Sequence, residues 1–387
     1  MQTIETLVGS DGHWNIEIPD ALAQGDFTVS ASITDAAGNE SGPSAPHTVV
    51  VDLTAPDVPT VTVISPVPGG SGLDRLTRAI VRHWPKHIPG NPKMIVKNMP
   101  GAGGAKALNF LYDRARPDGL TLYLGPWSAA GIVAGDPALR YVPEKFVMIG
   151  AGGLDRVSLI RTDVAPGIKK SSDVMKVKSF NVGGRRADRM LDFLGNLSME
   201  MIGANYRFVG GYRGMAKIRP AFMSNEVQAA NSGSIGYYIF FKDTMLKDGS
   251  AIALWSHPGF DGDGNVVKAK SFPGVPSFDE VYREVHGKMP SGPLWKTYQW
   301  YSRVLGNSTM TVFGAPGTPI DVTKVLRVSH QATTKDPAYV VPETKRLGGT
   351  GINFISVDEA LQIQKTFREV DDDILATLKK MTKVGQR

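Results

Sequence analysis

Between residues 61 and 84 the apolar positions change their period. Val61, Val63, Ile64 and Val67 form a run that suits a buried strand. Leu73, Leu76, Ile80, Val81 and Trp84 then recur three and four residues apart and fall on one helical face. Ser71, followed three positions later by Asp74, predicts the helix start: the hydroxyl accepts a backbone N–H bond and the carboxylate lies at the positive end of the helix. The turn between strand and helix, Pro68-Gly69-Gly70-Ser71-Gly72, offers backbone donors with little side-chain bulk at the carboxyl end of a strand. That arrangement favours an anion.

Strand and helix patterns keep alternating. A strand at 93–97, a glycine-rich loop at 98–104, a helix to about residue 115, a turn at 117–119 and a strand at 120–124 complete a βαβαβ unit. Connections of this length imply parallel strands with right-handed crossovers, and ligands on such sheets sit outside the carboxyl ends of the strands. The loops 68–72, 98–104 and 125–128 all lie at that edge and are expected to converge on one cleft. A second cycle follows, with strands at 157–161, 179–182, 206–209, 227–231 and 251–255 and helices at 188–201, 215–223 and 237–246. From residue 276 the pattern gives a helix at 295–305, a strand at 309–313, a helix from 319 and one long helix. The last begins at Ser356-x-x-Glu359 and carries Leu361, Phe367, Ile374 and Leu378. The strand at 309–313 needs a sheet to join, so the chain is expected to return to the first lobe. This gives an α/β protein with lobe 1 at 59–149 and 258–387, lobe 2 at 150–257, and a hinged cleft between them.

The first 58 residues read differently. Alternating strands at 14–18, 27–33 and 47–53, separated by Gly, Pro, Asp and Asn turns, predict a short all-β segment. Trp14, Pro19, Leu22, Gly25, the turn at 35–39 and the closing run at 51–56 resemble the second half of a bacterial Ig-like repeat of surface adhesins. The strands that would open such a sandwich are missing, so the segment is expected to be partial and poorly stable alone. Asp35, Asn39 and Asp52 are oxygen donors of the kind calcium takes, but Asp-x-x-Gly-Asn is also turn chemistry, and the turn is the expectation. Asp261-Gly262-Asp263-Gly264-Asn265 likewise starts as a calcium loop does, yet Phe272 stands at its twelfth position, and a hairpin turn is expected.

Composition narrows the partners. With 42% hydrophobic and 21% charged residues the 387-residue chain can bury a sizeable core, and 43 Lys+Arg against 37 Asp+Glu leaves only +6. The basic residues are scattered, so no nucleic-acid footprint is expected. Without cysteine there is no disulfide, thiolate metal site or cysteine nucleophile. No stretch approaches the length of a membrane span, and the first residues carry neither a charged n-region nor an apolar h-region.

Six motifs together resemble a known family. SPVPGGSGLD at 65–74, NMPGAGG at 98–104, PDGLTL at 117–122, YRG at 212–214, PGVPS at 273–277 and APGTP at 315–319 stand in the order found in the substrate-binding receptors of tripartite tricarboxylate transporters, the TctC or Bug family. Each is weak alone. The match runs from about residue 60 to the end. It implies a two-lobed, type II periplasmic-binding-protein-like fold and a non-enzymatic, monomeric receptor without cofactor. Such a receptor takes a small carboxylate, a di- or tricarboxylate or an aromatic acid, and hands it to membrane transporter subunits. The implied location is the periplasm, so an export signal is expected upstream of this chain.

The candidate ligand-binding residues are Pro68, Gly69, Gly70 and Ser71 in the first loop, Trp127 and Ser128 in the third, Gly183, Gly184 and Arg185 after a strand of the second lobe, and Tyr212, Asn231 and Ser232 at neighbouring strand ends. Arg185 and Arg186 depart from the small Gly/Ser-rich loop usual in the family. They either grip a carboxylate through paired hydrogen bonds or stand solvated. Trp127 covers the ligand or plugs the core, Tyr212 floors the pocket or packs, and the run Asn231-Ser232-Gly233-Ser234 is a further candidate for the floor. Rival readings are an adhesin working through the Ig-like segment and an α/β enzyme on an anionic substrate. Against the enzyme, the seven histidines are dispersed, and neither a Gly-x-x-x-x-Gly-Lys-Ser/Thr loop nor a Gly-x-Ser-x-Gly elbow occurs.

Overall fold

Two mixed sheets organise the computed structural model, which describes residues 4, 6, 25–51, 59–187, 190–212, 214–261, 264–306 and 308–382. The chain divides into two compact units, Met1–Val58 and Pro59–Arg387. In the first, β1 (Gly25–Val29) pairs antiparallel with β2 (His47–Val51), in register from Gly25↔Val51 to Val29↔His47. Asp35 closes the turn between them: its Oδ1 accepts from Ala37 N and Asn39 N, both at 2.9 Å, and its Oδ2 from Asn39 Nδ2 at 3.0 Å. The carboxylate is thus engaged in turn chemistry. The predicted strand at 14–18 and Asp52 lie outside the described residues.

In the second unit the first sheet has the order β15-β6-β14-β5-β3-β4. Its strands are β3 (Val61–Ser65), β4 (Met94–Asn98), β5 (Thr121–Gly125), β6 (Val147–Gly153), β14 (Thr311–Gly314) and β15 (Asn353–Ile355). β3, β4 and β5 are mutually parallel as the βαβαβ pattern predicts, through α1 (Gly72–His83) and α2 (Ala105–Asp113). The second sheet, β11-β7-β10-β8-β9, holds β7 (Arg156–Arg161), β8 (Phe180–Gly183), β9 (Tyr206–Val209), β10 (Ala229–Gly233) and β11 (Ala251–His257). β8 is parallel to both β9 and β10, and β7 runs antiparallel between β10 and β11. The hairpin β12 (Gly259–Phe260) and β13 (Val266–Val267) follows, and Asp261 accepts from the N and Nδ2 of Asn265, as a hairpin turn requires.

Both sheets are covered on both faces, which is why their strands read as nearly continuous apolar runs. In the first, Val63, Leu122 and Val312 join one core while Ile64, Tyr123 and Phe313 join the other. In the second, Ile160 faces a core with Phe193 and Leu197 of α4 (Met190–Ile202), and Val157 and Leu159 face one with Phe222 of α5 (Met215–Met223). The remaining helices are α3 (Ala129–Val133), the single turn α6 (Ser234–Gly236), α7 (Phe278–His286), α8 (Gly292–Gly306), α9 (Ile320–Lys335), α10 (Pro337–Arg346), α11 (Val357–Thr366) and α12 (Asp372–Thr382).

Three expectations are corrected. Residues 237–246 do not form an α-helix: Tyr237–Phe241 is a π turn followed by turns. Ile239 packs against the first lobe's core while Phe241 is buried in the second's, and the wider turn lets neighbouring side chains reach both. The long helix from Ser356 is two helices, because Phe367 belongs to the first lobe's core and Ile374 and Leu378 to the second's. Asp371 Oδ1 restarts the helix by accepting from Ile374 N at 2.8 Å. Finally, residues 258–387 do not all lie with lobe 1. Phe278 and Val281 of α7, Tyr298 and Tyr301 of α8 and Met381 of α12 pack in the second lobe's core.

Candidate functional site

Where β3 ends, the glycine loop turns back on a carboxylate of its own. Asp74, in the first turn of α1 and 1% exposed, accepts from Gly70 N at 2.8 Å, Arg78 Nε at 3.0 Å and Asn98 Nδ2 at 2.7 Å. Burial raises the Asp74 pKa, but the hydrogen bonds from Arg78, Asn98 and Gly70 outweigh it and hold the group below its ordinary value. Ser71 caps α1 by accepting from Asp74 N, and its own N–H closes a turn on Pro68 O at 3.3 Å. The Gly70 donor expected to serve an anion is therefore spent on Asp74, with Gly70 at φ +78°. The N–H groups of Gly72 and Leu73, in the first helical turn, have no acceptor within the helix.

The other two loops of the first lobe close on this one. A Cβ on Gly104 would lie 3.5 Å from Pro66 and 3.9 Å from Pro126 O, and one on Gly125 would lie 2.6 Å from Pro66. Ser128 caps α3, accepting from Gly131 N at 3.3 Å, and its N–H reaches Tyr141 Oη at 3.3 Å. Trp127 is 4% exposed, its ring edge-on to Phe367 at 4.8 Å and to Phe313 at 6.4 Å. Its indole fills the first lobe's core, so of the two roles weighed for it the structure takes the packing one.

The second lobe repeats the device. Asp192, in the first turn of α4 and 1% exposed, accepts from Arg185 N at 2.7 Å and Arg186 N at 3.4 Å. Gly184 has no room for a side chain, since a Cβ would lie 2.4 Å from Phe208 and 2.7 Å from Asp192 Oδ1. Gly183 ends β8, with Val227 against it. The half-buried Arg185 has a guanidinium nitrogen 3.9 Å from where a Gly214 Cβ would stand, and Gly211 N donates to its carbonyl at 2.9 Å. Tyr212 is half-buried and donates to Glu226 Oε1 at 2.5 Å; burial first, then that hydrogen bond, pushes its pKa up to about 12. Ser232 Oγ donates locally to Gly233 O at 3.0 Å. Asn231, 1% exposed, accepts from Ser158 Oγ at 2.7 Å.

Two contacts join the lobes across these loops. Gly72 meets Ile235 of α6 so closely that a Cβ would lie 2.8 Å from its Cγ2, and Arg186 Nη2 stands 3.8 Å from Asp136 Oδ2. The structure thus brings together 68–71 with 98–104 and 125–126 in one lobe, and Gly184, Arg185, Gly214 and Ser232 in the other. Sequence reasoning passed over Ser65, which ends β3, but reached Ser234, which begins α6, through the strand-end run 231–234. Their Oγ atoms, with Asn231 Nδ2, are buried without a hydrogen-bond partner among the described residues. A serine in an apolar run at a strand end was the available signal. Among the described residues no cluster of His, Cys, Asp or Glu is placed to hold a metal ion, and no helix is long and apolar enough to cross a membrane.

Residues 1–53 match the family model Big_13, the bacterial Ig-like domain. A comparison with curated sequences gives no match. Among solved structures, the periplasmic binding protein BugD is similar at 17% identity and a TM-score of 0.61, over 84% of this chain and 98% of that one. MatC from Rhodopseudomonas palustris with bound malate is 19% identical with a TM-score of 0.59, over 84% and 99%. A further R. palustris protein, solved with adipate, is 16% identical with a TM-score of 0.60, over 86% and 98%. The likeness shows the fold, that of the two-lobed, type II periplasmic binding proteins.

Proposed function

We propose that this chain, built on the fold of the TctC and Bug periplasmic binding proteins, is a solute-binding receptor for a small carboxylate. The ligand is held between the lobes and passed to the membrane subunits of a tripartite tricarboxylate transporter. One observation carries the reading. Two glycine loops, each braced by a buried first-turn carboxylate, each meet the opposite lobe, Gly72 at Ile235 and Arg186 at Asp136, and strand ends of the two lobes carry the unpartnered Ser65 Oγ, Ser234 Oγ and Asn231 Nδ2. Buried polar atoms normally find partners, and a small polar ligand would supply them. Malate and adipate in similar structures point to the same class of ligand. The receptor acts outside the cytoplasm as a monomer and carries out no reaction, as its neighbours are solute-binding proteins.

Within the site, first-turn amides of α1 are assigned to one carboxylate and the Arg185 guanidinium to the other charge, with Pro68, Gly69 and Ser128 shaping the cleft. A thermal-shift screen of mono-, di- and tricarboxylates and aromatic acids tests the proposal. A ligand at a hundred times its Kd should add about 2.7 kcal/mol to native stability. No shift with any acid would overturn it.

A further inference from the structure

Asn231 ends a chain of buried hydrogen bonds. Tyr298 Oη stands 2.8 Å from His257 Nδ1, His257 Nε2 stands 3.0 Å from Ser158 Oγ, and Ser158 Oγ is 2.7 Å from Asn231 Oδ1. All four side chains are 5% exposed or less. A neutral imidazole has one donor and one acceptor nitrogen, and each hydroxyl has one proton. The chain can therefore run in only two senses. In the outward sense Tyr298 donates to His257, His257 to Ser158 and Ser158 to Asn231 Oδ1, which leaves both Asn231 Nδ2 protons to be given elsewhere. In the inward sense every bond reverses, the Asn231 amide is turned over, and a carbonyl oxygen stands at the free end.

The structure takes the outward sense: the oxygen of the Asn231 amide faces Ser158 Oγ, and Nδ2 is left without a partner among the described residues. Arg156, the first residue of β7, is 6% exposed, donates to Thr309 Oγ1 at 2.9 Å and acts electrostatically on both Tyr298 and His257, while the buried Asp279 of α7 acts on Tyr298 more strongly and in the opposite sense. Burial, and then Arg156, lowers the His257 pKa to about 3, so the ring stays neutral and keeps the one-donor, one-acceptor character the chain needs. The position of the free end matters as well. β10 and β8 pair through Ala230↔Gly183, so Asn231 stands one residue beyond, level with Gly184 where β8 opens into the Arg185 loop. Gly195 of α4 leaves room for the amide, since a Cβ there would lie 2.1 Å from Asn231 Nδ2.

We propose that Tyr298, His257 and Ser158 are positioning residues that fix the Asn231 amide as a donor at the floor of the cleft, and so select an ionised carboxylate, which only accepts, over groups that must donate. This rests on the receptor reading above. The test uses the full chain labelled with 15N. In the free protein the His257 ring should be the Nε2–H tautomer, and titration with malate or adipate should move the paired Asn231 Nδ2 protons. Ser158→Ala should weaken binding at least tenfold, and Asn231→Asp, which faces the ligand with oxygen alone, should weaken it further. The Nδ1–H tautomer would overturn the inference without any ligand, whether or not the variants fold. Binding of either acid by calorimetry with the Asn231 signals unmoved would overturn it and leave the receptor intact. No binding by any carboxylate in the screen would overturn both.

Discussion

Asp74 and Asp192 hold corresponding places in the two lobes, each in the first turn of the helix that follows a glycine loop, and each takes up loop N–H groups that would otherwise be free for a ligand. Asp74→Asn should therefore loosen the loop before it touches the ligand, at a cost of about 1.5–3 kcal/mol for charge-assisted bonds. Urea unfolding should show it, with a sign set by linkage. The folded pKa of Asp74 is depressed, so its contribution is full above the ordinary carboxylate pKa and is lost as pH falls through the folded value. The gap between wild type and Asp74→Asn should narrow below about pH 4, and a gap that holds constant there would count against the charged partner. Arg185→Ala separates its two roles: a paired contact to the ligand is worth roughly 1.5–3 kcal/mol, about ten- to a hundredfold in affinity, against less than about threefold for a solvated side chain. Asp74 was legible as a helix-dipole residue from its place three after Ser71. Its bonds to Gly70 and Asn98 were not, because they depend on how the glycine loop folds back and on where the end of β4 comes alongside it.

At the scale of elements, the pattern of apolar positions located most strands of both lobes to within a residue or two. It failed where glycine or a divided allegiance hid the period. β6, reading VMIGAGG, was overlooked because Gly150 and Gly152 weaken a strand signal, yet their missing side chains let His330 and Phe354 pack against the sheet. The break between α11 and α12 was hidden for the other reason, as both helices keep an apolar face but present it to different cores. α12 should then matter to a lobe distant from it in sequence. Leu378, fully buried with Phe193 and Leu197, should cost about 2–5 kcal/mol when replaced by alanine. Hydrogen exchange should rise first in α4 and α8, whose side chains share that core, and not in β3 or β5; a rise confined to the first lobe would contradict the placement of α12.

At the scale of the whole unit, the two lobes follow from topology: the chain crosses from β6 to β7, returns before β14, and crosses again between Phe367 and Ile374. Two crossings were legible, since a strand after residue 309 had to join a sheet, and the third was not. Beside the glycine loops two contacts join the lobes. Ile235 of the second lobe is 7% exposed and packs with Leu76 and Ile80 of α1, while Gly72 gives it the space to do so. Arg186 and Asp136 add a second contact at 3.8 Å. Ligand binding to both lobes should favour this apposed arrangement, because a ligand shifts an equilibrium by its differential affinity for the two states. Small-angle scattering should give a smaller radius of gyration with a bound carboxylate than without. Gly72→Val should hold the radius at its larger value and weaken binding. Ile235→Ala in the same chain should restore part of both, since it removes the atom that the new side chain meets. If Gly72→Val closes as wild type does with ligand bound, the Ile235 contact is not what the lobes close upon, and the Arg186–Asp136 pair becomes the next contact to break.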